Sequence, residues 1–98
     1  MENVLEFKQD NELIYYYLAE AYKANDEIDK AISNFLKAIA TNNKFAPAYK
    51  KVAILFLARG DYADAIEYLE DYMNLDISEE EKNSTAKLVE NIKQKANN

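Results

Sequence analysis

Displaced by 34 positions, this 98-residue chain falls on itself residue type by residue type. Tyr15 meets Tyr49, Leu18 meets Val52, Ala19 meets Ala53 and Tyr22 meets Phe56. The match continues with Ala24 on Ala58, Ile28 on Tyr62, Ala31 on Ala65, Ile32 on Ile66, Phe35 on Leu69 and Ile39 on Met73. Apolar and aromatic positions stay so, and small positions stay small. A fixed period of this length marks a chain built from repeated supersecondary units, none of which can bury its apolar face alone.

Within each unit the spacing is helical. Tyr15, Leu18, Ala19 and Tyr22 fall at i, i+3, i+4 and i+7, one buried stripe on one helix. Ile28, Ala31, Ile32, Phe35 and Ile39 form a second stripe on a second helix. Between them, Asn25 suits a left-handed helix end, and Asp26 and Glu27 suit the start of the next helix. The second unit breaks at Arg59-Gly60-Asp61, where glycine takes the left-handed conformation without steric cost. The pattern predicts two helical hairpins, with helices over 12–24 and 28–41, then 46–59 and 62–75. With one Gly and one Pro in the chain, the fold class is all-α.

Several function classes are excluded by what is missing. The chain has no Cys and no His. It therefore has no disulfide framework, thiolate nucleophile, Cys-ligated zinc or Ser-His-Asp triad. A single Gly leaves no Gly-rich phosphate loop. We expect no catalytic, metal or cofactor site, and no enzyme. Eighteen acids against twelve bases give a net charge of −6, which disfavours nucleic acid as a partner. No apolar run is long enough to span a bilayer, and the first residues carry acids where a signal peptide carries bases. The expected setting is reducing and cytoplasmic, with no membrane partner.

The two units resemble tetratricopeptide repeats, whose signature runs aromatic, x2, Leu, small, x2, Tyr, then Ala, x3, Phe. The first unit has Tyr15-x2-Leu18-Ala19-x2-Tyr22, then Ala31-x3-Phe35 and Ala38; the second has Tyr49-x2-Val52-Ala53-x2-Phe56, then Ala65-x3-Leu69. The resemblance covers about residues 12–77. The closing Pro of the family is replaced by Asn43 and Ile77, and Tyr72 stands where Ala38 does in the first unit. A third shift puts Asn83, Lys87 and Glu90 at core positions, so no third full repeat follows.

The ends have their own logic. Ser78 with Glu81 makes a capping box, and Leu88, Val89, Ile92 and Ala96 make a narrow apolar stripe. We expect a helix over 79–96, within a C-terminal segment 78–98, that seals the last hairpin, as repeat arrays require. Residues 1–11 resemble the last turns of a preceding second helix. The first repeat then spans 12–45 and the second 46–77. Either the chain is a fragment of a longer array, or these residues are a short lead-in packed on the first hairpin.

The family resemblance implies that the first helix of each pair lines a concave side. The residues pointing into that hollow are Leu13, Tyr16, Glu20 and Lys23 in the first unit and Pro47, Lys50, Ile54 and Leu57 in the second. Such a mixed surface suits a protein or peptide with apolar anchors and an acidic group. A simpler reading has Ile54 and Leu57 packing under the C-terminal helix. Val52 to Ala58 is apolar all round, so that helix needs cover on a second side from the C-terminal helix, a bound peptide or another copy of the chain. Tyr15, Tyr16 and Tyr17 cannot share one face; Tyr15 suits the core, Tyr17 a packing edge, and Tyr16 either an edge or a partner contact. From Asp61 to Glu81 there are nine acids and no base, a solvated face with no calcium-loop spacing.

The expected function is a protein–protein interaction scaffold; the alternative is a structural or self-associating fragment of a longer array, a possible homo-oligomer. The repeat pattern itself generates a test. Ala31 and Ala65 occupy the closest approach of paired helices, so Ala31→Leu should overpack the contact by roughly 1–3 kcal/mol. Thermal denaturation checks this: the variant's Tm should fall by several degrees.

Overall fold

The computed structural model describes residues 11–97, and among them it contains five α-helices and no strand. They are α1 (Glu12–Ala24), α2 (Ile28–Thr41), α3 (Ala46–Arg59), α4 (Tyr62–Met73) and α5 (Glu79–Ala96). The lead-in expected over 1–11 lies outside the described residues, apart from Asn11. Consecutive helices pack on each other: α1 on α2, α2 on α3, α3 on α4 and α4 on α5. The result is two helical hairpins, α1–α2 and α3–α4, followed by α5.

The helix ends explain why the chain turns where it does. Asn11 caps α1, its side chain accepting from the Leu13 amide at 2.7 Å. At the end of α1 the Glu27 amide donates to Tyr22 O at 2.8 Å and the Asp26 amide to Lys23 O at 2.9 Å. At the end of α3 the Asp61 amide donates to Phe56 O at 2.9 Å and the Gly60 amide to Leu57 O at 3.0 Å. Both are Schellman closures, and each atom of the second lies 34 residues beyond its counterpart in the first. Gly60 is left-handed as expected, with φ 84°. In the first turn the left-handed residue is Asp26, φ 64°, not Asn25. The reason is register: Asp26 is the counterpart of Gly60, and aspartate is among the few side chains that tolerate this region.

One further boundary differs in detail from expectation. Helix α4 ends at Met73, because the Asn74 amide bonds back to Asp71 O and the Leu75 amide to Tyr72 O, a tightened i→i−3 turn. Asp61 begins α4 without a side-chain cap; its Oδ2 lies 2.7 Å from Arg59, which also reaches Asp29 at 3.0 Å and so ties the start of α2 to the end of α3.

The core follows the repeat. Ala19, Ala31, Phe35, Ala38, Ala48, Val52 and Ala65 are fully buried in one cluster spanning the first four helices. Alanine at these positions lets helix axes approach, and Phe35 fills the volume left beside them. Burying a side chain of that size stabilises by roughly 1.5–3 kcal/mol. A second cluster joins Ala53 and Leu69 to Val89 and Ile92 of α5. The second side of α3 is therefore covered by α5, with Leu57 packed against both clusters.

Some stripe assignments need correction. Leu18, expected in the core, is 44% exposed. Its counterpart Val52 is buried because α3 packs on α2, whereas no described helix lies on that side of α1. On α5 Val89 and Ile92 are buried as expected, but Ala96 is exposed and Thr85 joins the buried face. The Thr85 hydroxyl is buried with no hydrogen-bond partner. An unsatisfied buried polar group costs roughly 1–3 kcal/mol. Thr85→Val keeps the shape and removes that group, so chemical denaturation should show the variant more stable than the parent by about 1 kcal/mol.

Candidate functional site

The amphipathic logic of α3 leaves one large side chain without cover. Ile54 is 48% exposed on a helix whose Val52, Ala53, Leu55 and Phe56 are buried. It belongs to a cleft of about 370 Å³ lined by Pro47, Lys50, Lys51, Ile54 and Leu55 of α3, Lys23 of α1 and Tyr72 of α4. Aliphatic and aromatic walls are thus crossed by three ammonium groups.

Each lysine is held by a carboxylate or an aromatic ring. Lys50 Nζ donates to Glu81 Oε1 at 3.0 Å and lies 5.8 Å from the centre of the Tyr72 ring. The Tyr72 hydroxyl donates to the same Glu81 oxygen at 2.9 Å. This three-helix knot has a cost at the cap. The Ser78 hydroxyl accepts from the Glu81 amide at 3.1 Å, but the Glu81 carboxylate turns to Lys50 and Tyr72 and leaves the capping box half made. Lys51 pairs with Glu20 at 3.0 Å, and Lys23 approaches the same carboxylate at 3.5 Å.

The proton affinities follow from these contacts. Hydrogen bonds from Lys50 and then Tyr72 hold the Glu81 carboxyl below its ordinary range. Burial, followed by the bond to Glu81, pushes the Tyr72 phenol up to about 12. Burial alone would raise Glu20, but its bonds and charge contacts with Lys51 and Lys23 outweigh that and lower it. The bond to Glu20 raises Lys51 against a smaller opposing effect of burial.

The candidate residues separate into three groups. Lys23, Lys50 and Ile54 line the cleft together, and Glu20 borders it through its two lysine partners. Tyr16 is half-buried in an aromatic cluster, with ring centres 5.6 Å from Phe35, 5.3 Å from Phe45 and 5.5 Å from Tyr17. Leu13 is exposed further along α1 and does not line the cleft. Leu57 lines a separate cleft of about 190 Å³ with Tyr62, Leu88, Asn91, Ile92 and Lys95, beneath α5. Lys51, Leu55 and Tyr72 belong to the larger cleft although the sequence pattern did not place them there. The sign for Tyr72 was its bulk at a position that is alanine in the first unit.

Among the described residues no group of three or more acidic side chains is disposed to hold a metal ion, and no helix is long and apolar enough to cross a membrane. No known protein family matches the chain, and no characterised protein is found to be related to it.

The depressed Glu81 pKa makes the knot pH-dependent in a defined direction. A carboxylate with a lowered native pKa contributes stability above its unfolded pKa, and that contribution is lost as pH falls through the native value. Glu81→Gln should therefore melt lower than the parent at pH 7. The gap should close as pH falls below the ordinary carboxylate range, which paired thermal melts between pH 7 and pH 3 would show.

Proposed function

We propose that the chain is a protein–protein interaction module of tetratricopeptide type. In this reading the two hairpins are successive turns of a short solenoid, α1 and α3 line its concave side and α5 seals its end. The cleft on α3 takes an extended or helical segment of a partner protein. An apolar side chain of that segment packs on Ile54 and Leu55, and a carboxylate meets the lysines. Leu13 and the edge of Tyr16 extend the surface along α1.

The observation that supports this best is the pairing of an uncovered Ile54 with Lys23, Lys50 and Lys51 in one cleft. Three cations face two carboxylates there, Glu20 and Glu81, in a chain whose net charge is −6. The cleft is locally basic within an acidic molecule, which steers acidic segments toward it. Apolar contact supplies affinity and the lysines supply orientation.

Affinity capture on the immobilised 98-residue chain tests the reading. Ile54→Asp and Lys23→Ala alter half-exposed or exposed side chains, so both should leave helix content and Tm unchanged. Ile54→Asp should reduce recovery of a captured partner at least tenfold, with a smaller loss for Lys23→Ala. Recovery of the same proteins by parent and variants would overturn the proposal.

A further inference from the structure

Helix α1 presents the one outward helix face without charge among the described residues. Its exposed residues are Leu13, Ile14, Tyr17, Leu18, Ala21 and Ala24. Tyr17 is 64% exposed, and four of the five large apolar side chains that are exposed belong to this helix. All three charged residues of α1 are engaged by the rest of the molecule: Glu12 accepts from the Asn42 amide group at 3.1 Å, and Glu20 pairs with Lys51 and Lys23. Exposed faces of the other helices carry Asp29, Lys30 and Lys37 on α2, Arg59 on α3, Asp64, Glu67 and Glu70 on α4, and Lys87, Glu90 and Lys93 on α5.

The molecule shows what such a face does when it is covered. Ile14, Leu18 and Ala21 fall 34 residues before Ala48, Val52 and Leu55, which α3 buries in the core cluster it shares with α2. Thr85, Val89 and Ile92 repeat the same i, i+4, i+7 spacing on α5, where they are buried on the side that packs on α4. The α1 face is thus a helix-packing surface of the same design that no described helix covers.

We infer that this face docks against the same face of a second copy of the chain, with the two α1 helices antiparallel about a two-fold axis between Tyr17 and Leu18. The choice of occupant follows from charge. A copy covering the face with α2, α4 or α5 would bury charged groups against an uncharged surface, which is costly without partners. A copy offering its main cleft would do the same with three lysines. Among the described helices only α1 meets α1 without that penalty, and an isologous contact of this kind closes as a dimer. The register is complementary in size: Ile14 faces the partner's Ala21, and Tyr17 faces the partner's Leu18. A single pair of short helices buries less than the roughly 1,200 Å² of a stable interface. The dimer is therefore weak and dissociates on dilution.

Sedimentation velocity of the full chain across about 20 μM to 1 mM tests this, over the range in which so small an interface should titrate. The weight-average mass should rise toward twofold and should not fall as salt is raised to about 1 M, because no charge lies in the contact and salt only screens the repulsion between two chains of net charge −6. Tyr17→Lys, at the most exposed position, and Leu18→Glu should both remain monomeric with unchanged helix content. A parent chain that stays monomeric overturns the inference; if Leu18→Glu then also lowers Tm, the face is covered within one chain. Dimerisation of Tyr17→Lys at parental strength overturns it as well, as does a dimer that salt disperses. The readout is mass rather than peptide binding, so it stands apart from the cleft reading.

Discussion

Close approach of neighbouring helices at buried alanines is the condition on which this fold depends. Ala19, Ala31, Ala53 and Ala65 have essentially no exposed surface, and the first and third are 34 residues apart, as are the second and fourth. Small side chains bring the backbones together, and the remaining space must be filled by large neighbours. Phe35 does this in the first hairpin, and Leu69 with the stacked pair Phe56 and Tyr68 does it in the second. Interiors are packed as densely as organic crystals, so size at each of these positions is set by its neighbours. The alternation of small and large along the chain is thus a specification of interhelical distance.

Most of the helical architecture was legible because it is periodic. Helices over 12–24, 28–41, 46–59 and 79–96 follow from apolar spacing and end signals, and the bounds agree with those found. Periodicity assigns a face, however, and does not say what covers it. Leu18 lies on the correct stripe for a residue between two helices and is exposed because only one is present among the described residues. Thr85 shows the converse: a polar residue is buried because of where α5 sits on α4, and nothing local to its sequence announces this. Asp26 rather than Asn25 takes the left-handed position, a distinction that the 34-residue register encodes and residue preference alone does not.

The candidate site was legible in outline only. Lys23, Lys50 and Ile54 converge because they project from adjacent helices on the same side, which helical phase can give. Tyr72 and Glu81 enter through tertiary contacts that phase cannot give. Glu81 illustrates the difficulty. Its position three residues after Ser78 suggests a reciprocal cap, yet a lysine and a phenol from two other helices outbid the backbone amide for its carboxylate. Leu57, similarly placed by phase, packs under α5 as the simpler of the two readings of the sequence has it, whereas Ile54 does not.

The order of contacts along the chain has a kinetic meaning. The most extensive packing of each helix is on its neighbours in sequence, so most loops closed during folding are short. Loop-closure entropy is then modest at each step, and chains of this topology belong to the fast end of two-state folding, in the microsecond to millisecond range. Each hairpin is a local unit, so its two helices meet at small loop-closure cost before more distant contacts form. The last to gain from this is α5, whose apolar face has no partner until α3 and α4 have met.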